Sequence, residues 1–100
     1  MIRVKDCIFM FIMDSLHNFE NVLRKLVVPM FPEIVDVSVE HERGLTHDVK
    51  VTYYLVHRMF YYDTSKVENE TKSIFLLMGF EKVYTPWITY RLVKENNVGK

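Results

Sequence analysis

Cysteine, glycine and proline are scarce in this chain of 100 residues. The single cysteine, Cys7, cannot form an internal disulfide, and a chain with enough apolar residues for a core does not need one. This indicates a reducing compartment, and we expect the cytoplasm. The three glycines, Gly44, Gly79 and Gly99, lie too far apart to form a glycine-rich loop around a nucleotide phosphate. We therefore expect no small-molecule cofactor.

Net charge and long apolar runs are also missing. Thirteen basic and 13 acidic residues cancel, so no long-range field draws the protein to phosphate backbones or acidic lipids. The apolar run at 7–13 lacks a cleavage site of small residues and is far shorter than the roughly 20 residues of a membrane-spanning helix. We therefore predict neither a signal peptide nor a membrane anchor. An apolar fraction of 49% predicts one packed domain over residues 1–100, with 96–100 frayed.

The first quarter of the chain predicts a strand followed by a helix. The short continuous apolar run at 4–13 is typical of a central strand that is covered on both sides. Asp14, Ser15 or Asn18 can cap the helix that follows, and Pro29 ends it. The apolar residues of this helix recur at steps of three and four: Phe19, Val22, Leu23, Leu26 and Val27.

Strict alternation of apolar and polar residues then predicts a β-hairpin. One strand covers 34–43, the turn contains Gly44, and the second strand carries apolar residues at every other position of 49–55. If Val39 pairs with Val51, the valines share one face. The same register places Glu40 opposite Lys50 and Ser38 opposite Thr52.

A second helix and a last strand complete the predicted fold. The capping box that begins at Ser65 starts the helix, and Gly79 ends it in a left-handed conformation. The strand at 81–93 contains Pro86, which predicts a sheet edge. The order of elements predicts a ferredoxin-like βαββαβ sandwich, in which a four-stranded antiparallel sheet carries two helices on one face.

The sheet face away from the helices is the predicted functional surface. Its predicted residues are Tyr54, Trp87, Lys50, Arg58 and Arg91, joined by Phe9 and Phe11 from the central strand. An apolar patch of this size rarely stays in contact with water, and aromatic residues, methionine and arginine are enriched in protein interfaces. We expect a non-enzymatic protein-interaction or regulatory module, either a homodimer or docked on a protein partner. In the alternative, these rings lie under loops or the C-terminal tail of a monomer.

Single-stranded nucleic acid is a second and less favoured partner for this face. Bases stack on exposed aromatic rings of a sheet, and Lys50, Arg58 and Arg91 can meet phosphates, as in RNA-recognition modules. The strand at 49–56 lacks the basic-glycine-aromatic signature of those modules, and the balanced charge argues against a polyanion. The sequence therefore favours protein over nucleic acid.

Two aspartates suggest a nuclease as a further alternative. Asp14 and Asp63 each follow an apolar run, and the short segment Leu-Met-Gly-Phe at 77–80 precedes a predicted strand. This arrangement resembles the strand-Asp-helix opening of the VapD and CRISPR-associated ribonucleases. The resemblance implies metal-assisted cleavage of nucleic acid, whereas an aspartate before a helix is more often a cap.

No metal site or catalytic set is predicted elsewhere. His41 and His47 lie near Glu40, Glu42 and Asp48 at the hairpin tip, but strand alternation places the glutamates on the face away from His41. Cys7 is predicted to be buried in a strand, where an apolar setting raises the pKa of a thiol and lowers its reactivity. We therefore expect a charged turn at the hairpin tip and no nucleophile.

Overall fold

A computed structural model describes residues 4–43, 47–82 and 85–93, with side chains described at 15–41, 48–81 and 85–93. Its elements follow the order α-β-β-α-β. They are helix α1 (Val4–Leu26), strand β1 (Ile34–Arg43), strand β2 (His47–Leu55), helix α2 (Tyr61–Leu77) and strand β3 (Thr85–Leu92), with short 3-10 helices at Val28–Met30 and Phe80–Lys82.

The three strands form one mixed sheet in the order β1-β2-β3. β1 and β2 form an antiparallel hairpin, and the predicted register is confirmed, since Val39 pairs with Val51 and Glu40 with Lys50. β2 and β3 are parallel and are connected by α2, as a parallel pair requires a crossover. Pro86 therefore lies in an edge strand, where a missing backbone N–H is tolerated.

The ferredoxin-like prediction is wrong. The sheet has three strands and mixed direction, where four antiparallel strands were predicted. The predicted first strand at 4–13 is the beginning of α1, so Cys7, Phe9, Phe11 and Asp14 lie in a helix. The physical reason is that no glycine or proline occurs between Val4 and Leu26, so nothing in the sequence interrupts one continuous helix.

The second helix begins one turn before its predicted start. Phe60 is the N-cap, with extended backbone angles and no side-chain hydrogen bond to the helix, and Ser65 lies inside the helix. The predicted capping box at Ser65 is therefore wrong. Gly79 adopts a φ of 80°, the left-handed conformation that was predicted to end this helix.

Both helices pack on the same face of the sheet. Residues of α1, α2 and all three strands contribute to one apolar cluster, whose fully buried members include Phe19, Leu23, Val37, Val49, Val51, Tyr53, Val67 and Phe75. The rings of Phe19 and Phe75 meet edge to face with their centroids 5.8 Å apart, and Phe80 packs 5.5 Å from both. This aromatic cluster joins the two helices.

One buried hydrogen-bond chain crosses this core. The Tyr53 hydroxyl donates to Thr71 Oγ1 at 2.6 Å, and Thr71 in turn donates to the Val67 carbonyl at 2.6 Å. Burial raises the pKa of the Tyr53 hydroxyl to about 12, although the hydrogen bond with Thr71 opposes this. These two hydrogen bonds anchor α2 to the central strand, β2.

Side chains of α1 close the outer edge of β1. Glu20 Oε1 accepts the Val39 amide at 2.9 Å, and Arg24 Nη2 donates to the Val37 carbonyl at 2.9 Å. The Val37 amide donates to Asp36 Oδ1, which also accepts from Arg24 Nε at 2.9 Å. Backbone groups that a further strand would otherwise use are therefore occupied.

Candidate functional site

The sheet face opposite the helices is the candidate site, and we call it the open face. Strand alternation points its side chains away from the apolar cluster that α1 and α2 cover. The open face consists of Ser38, Glu40, Asp48, Lys50, Thr52, Tyr54, Trp87, Thr89 and Arg91. Four of these, namely Lys50, Tyr54, Trp87 and Arg91, belong to the predicted functional surface.

Trp87 is the largest apolar side chain on the open face. It is 50% exposed, and its register partner across the parallel strand pair is Lys50. The Lys50 ammonium lies 5.2 Å from the centroid of the indole ring, within the range of a cation–π contact. The ring is therefore positioned by the sheet while half of its surface faces solvent.

Hydroxyl groups connect the three strands across the open face. Tyr54 and Ser38 are 3.1 Å apart at their hydroxyl oxygens, which joins β2 to β1. Thr52 and Thr89 are 3.3 Å apart at theirs, which joins β2 to β3. These contacts hold the middle of the face in one arrangement, so that Trp87 stands on an ordered polar surface.

Charges of both signs share the open face with the tryptophan. Glu40 and Asp48 contribute carboxylates, whereas Lys50 and Arg91 contribute cations, on the same face of adjacent strands. Arg91 is exposed and is the register partner of Tyr54. A surface of mixed sign suits a partner with charges of both signs better than a polyanion.

Three of the predicted surface residues do not belong to the strands of the open face. Phe9 and Phe11 were predicted to reach this face from a central strand, but they belong to α1. Their side chains lie outside the described part of the chain. Arg58 follows β2 in the connection to α2 and lines a separate cavity. The structure therefore brings together only the predicted residues of β2 and β3.

A cavity of about 290 Å³ lies where the parallel strands β2 and β3 end. It is lined by Leu55, Arg58, Met59, Thr64, Tyr90 and Leu92. The Tyr90 hydroxyl donates to the Thr64 carbonyl and to Glu68, at 3.2 and 3.3 Å. Burial, followed by the nearby charge of Glu68, raises the pKa of Tyr90 well above its ordinary value. This hydroxyl is therefore a structural donor that stays protonated at neutral pH.

Sequence reasoning missed an exposed aromatic segment at the start of α2. Phe60, Tyr61 and Tyr62 are all strongly exposed, Tyr61 by 88%. The Lys66 ammonium lies 4.3 Å from the centroid of the Tyr62 ring. The signal that could have revealed this segment is three consecutive aromatic residues, because successive positions of a helix cannot all face the core.

Asp14 and Asp63 do not occupy the ends of two strands. Asp14 lies within α1, which overturns its predicted place after a strand. Asp63 lies in the first turn of α2, eight residues after β2 ends at Leu55, so it does not directly follow a strand.

Among the side chains that the structure describes, no group of three or more His, Cys, Asp or Glu residues is arranged to hold a metal ion. The charged turn predicted at the hairpin tip includes Glu42 and His47, whose side chains lie outside that part of the chain. The prediction that this turn holds no metal therefore stays a prediction. In the described residues, no helix is both long and apolar enough to cross a membrane.

Comparisons with protein-family models, curated proteins and solved structures found no match.

Proposed function

We propose that this chain is a non-enzymatic protein-interaction module that binds a protein partner, or a second copy of itself, through the open face. The observation that carries the proposal is Trp87, whose ring is half exposed on an ordered sheet surface beside Lys50. Tryptophan is enriched among the residues that contribute most to protein binding. Its position beside Lys50 of the central strand makes it the natural centre of such a contact.

The energetic argument rests on the exposed half of the indole ring. A buried tryptophan removes about 150–250 Å² from water, so covering the remaining half contributes on the order of 2–3 kcal/mol. The desolvated Lys50 contact would strengthen further when water is excluded. One residue can therefore supply a substantial part of the affinity of a modest interface.

The charge pattern supports a protein as the partner. Glu40 and Asp48 would repel phosphates that approach Lys50 and Arg91, whereas a protein surface can match both signs. The neutral charge of the whole chain also provides no attraction toward a polyanion. We therefore favour protein over nucleic acid.

The proposal is tested by capture of partners from a lysate of the source cells, with wild type and Trp87→Ala as bait. Leu76→Ala is the matched control, because Leu76 is exposed to a similar degree, 56%, and lies on α2 away from the open face. We expect Trp87→Ala to lose the captured protein and Leu76→Ala to keep it. Equal capture by all three baits would contradict the proposal.

The fluorescence of Trp87 provides a direct second readout, because it is the only tryptophan in the chain. Its emission should shift to shorter wavelength when the purified partner covers the open face. A single-stranded oligonucleotide is the alternative probe. Quenching by that oligonucleotide, with an affinity that falls steeply as salt rises, would replace the protein proposal with nucleic-acid binding. If the wild-type chain cleaves the oligonucleotide and Asp63→Ala does not, the nuclease alternative is favoured.

A further inference from the structure

The two outer edges of the sheet differ in how their backbone groups are used. The edge of β1 is closed by Glu20, Arg24 and Asp36, as described above. Within residues 4–43, 47–82 and 85–93, β3 pairs only with β2 and no strand lies beside its other edge. An open edge is a template for another strand.

The direction of the β3 backbone groups follows from one hydrogen bond. The Val93 amide donates to the Leu55 carbonyl at 2.7 Å, and Leu55 is the register partner of Leu92. Because backbone groups alternate in direction along a strand, Ile88, Tyr90 and Leu92 point their N–H and C=O groups to the outer edge. Pro86 has the same parity, so its missing N–H costs β2 no hydrogen bond.

We propose that a second copy of this chain pairs with this edge, β3 against β3 in antiparallel orientation, to form a six-stranded sheet. The two-fold axis passes beside Tyr90, so that Tyr90 meets Tyr90 of the second copy and Ile88 meets Leu92 of the second copy. The inference goes beyond the proposed function, because this contact lies at the sheet edge and extends the open face of one copy into that of the next.

The backbone donors and acceptors of β3 favour this register. It pairs each outward amide of Ile88, Tyr90 and Leu92 with an outward carbonyl of the second copy. A register that places Pro86 opposite any of these residues leaves a carbonyl without a donor. The pattern of donors along β3 therefore matches an antiparallel copy of itself.

The side chains at this edge are also compatible with a second copy. On the helix side the pairs are apolar or aromatic, and Leu92 is 56% exposed in the single chain. On the open face Thr89 lies opposite Arg91 of the second copy, so no like charges are directly opposed. With a net charge of zero, two copies do not repel one another at long range.

The experiment compares Leu92→Lys with Leu76→Lys by sedimentation velocity over a range of concentrations. The two leucines are equally exposed, 56% each, and only Leu92 lies at the proposed contact. We expect a wild-type dimer, an unchanged Leu76→Lys dimer, and a dissociation constant raised about tenfold or more in Leu92→Lys. Leu92→Pro should have the same effect, because it removes an outward amide and no bond to β2.

Amide hydrogen exchange in the wild-type chain locates the contact without a substitution. We expect Ile88, Tyr90 and Leu92 to become protected as concentration rises, whereas Val93 is protected at every concentration because it bonds to β2. A wild-type chain that stays monomeric at millimolar concentration overturns the inference. So does a dimer that Leu92→Lys leaves intact. Protection of these amides only when a different protein is added assigns the edge to a foreign strand instead.

The failures of the two proposals are distinguishable. Loss of partner capture in Trp87→Ala together with a monomeric wild type upholds the open face and overturns the edge pairing. Unchanged capture in Trp87→Ala together with a dimer that Leu92→Lys disrupts overturns the open face and upholds the edge pairing.

Discussion

Single residues of this protein illustrate how one polar group can fix the position of a helix. The Tyr53 hydroxyl lies in the apolar core and has one partner, Thr71, which passes the chain of hydrogen bonds to the Val67 carbonyl. A buried hydroxyl without a partner would be costly, so this pairing permits tyrosine where phenylalanine would be the simpler choice. The position of α2 over β2 is thereby restricted to one arrangement.

Replacing this hydroxyl should have a measurable cost. Tyr53→Phe removes one buried hydrogen bond but leaves Thr71 bonded to the Val67 carbonyl, so we expect the free energy of unfolding to fall by about 1 kcal/mol. Tyr54→Phe is the control, because that hydroxyl is only half buried, and it should cost less than about 0.5 kcal/mol. Urea unfolding measures both. Equal losses in the two variants would show that burial of the hydroxyl is not the decisive factor.

The same hydroxyl should make stability depend on alkaline pH. The pKa of Tyr53 is about 12 in the folded chain and close to its ordinary value of 10.0 when unfolded. Because the pKa is higher in the folded chain, the contribution of this hydroxyl to the free energy of unfolding is complete below pH 10 and is lost as pH rises toward 12. We expect Tyr53→Phe to reduce the fall in unfolding free energy over this interval, measured by urea titrations at several pH values. A curve with the wild-type slope would contradict the assignment.

Strand alternation explains why part of the candidate site was predictable from sequence. Lys50 and Trp87 lie in strands whose polar and apolar residues alternate, so their shared face follows from parity alone. The strand predicted around Phe9 and Phe11 was wrong because a short apolar run does not distinguish a buried strand from a helix. The prediction for Arg58 was wrong because strand alternation assigns a face only within a strand, and β2 ends at Leu55. The closure of β1 by Glu20 and Arg24 required knowledge of helix packing, which no local pattern contains.

At the scale of elements, the end of α2 depends on one backbone conformation. Gly79 has a φ of 80°, and a Cβ added there would meet no atom within 4 Å. The cost of a side chain is therefore purely conformational. We expect Gly79→Ala to lower the free energy of unfolding by about 1–2 kcal/mol, and Gly79→Asn by less, because asparagine tolerates the left-handed region. Thermal unfolding followed by circular dichroism tests this order, and equal losses would contradict it.

The contact between α1 and the edge of β1 is the second element-scale feature. Glu20 accepts the Val39 amide, and Arg24 bonds both Asp36 and the Val37 carbonyl. These groups are partly exposed, so their ion pairs contribute little by themselves. Their main effect is to occupy the backbone groups of an edge strand.

Removing this closure should open the edge more than it destabilises the fold. We expect Glu20→Ala to cost about 1 kcal/mol or less and to accelerate hydrogen exchange at the Val39 amide. Glu33→Ala, a part-buried glutamate outside the α1 contact, is the control and should leave Val39 unchanged. An unaltered exchange rate in Glu20→Ala would show that the hydrogen bond does not protect the edge.

Acid should weaken the same contact. Burial alone would raise the pKa of Asp36, but hydrogen bonds from Arg24 and the Val37 amide outweigh it and hold that pKa below its ordinary 3.8. A lowered pKa means that the contribution is complete above this ordinary value and is lost as pH falls through the folded one. We expect Asp36→Asn to flatten the acid limb of a plot of unfolding free energy against pH. An unchanged acid limb would remove Asp36 from this role.

At the scale of the whole molecule, the aromatic cluster joins the two helices that cover the sheet, and we expect it to make the five elements unfold as one unit. Phe19 of α1 and Phe75 of α2 are both fully buried and contact each other and Phe80. The sheet alone has only three strands and depends on this covering layer. The sequence indicated both helices and the apolar face of the first, but not that these rings would meet, because pairwise packing depends on the mixed sheet that replaced the predicted one.

Truncating this cluster should therefore unfold the molecule as a unit. We expect Phe75→Ala to lower the free energy of unfolding by about 3–5 kcal/mol, a large part of the stability of a typical domain, and Phe75→Leu by much less. Because the two rings touch, Phe19→Ala and Phe75→Ala together should cost less than the sum of the single losses. Urea unfolding followed both by Trp87 fluorescence in β3 and by helical circular dichroism measures this. Transitions that separate in the single variants would show that the helices and β3 unfold independently, which would contradict the role assigned to the cluster.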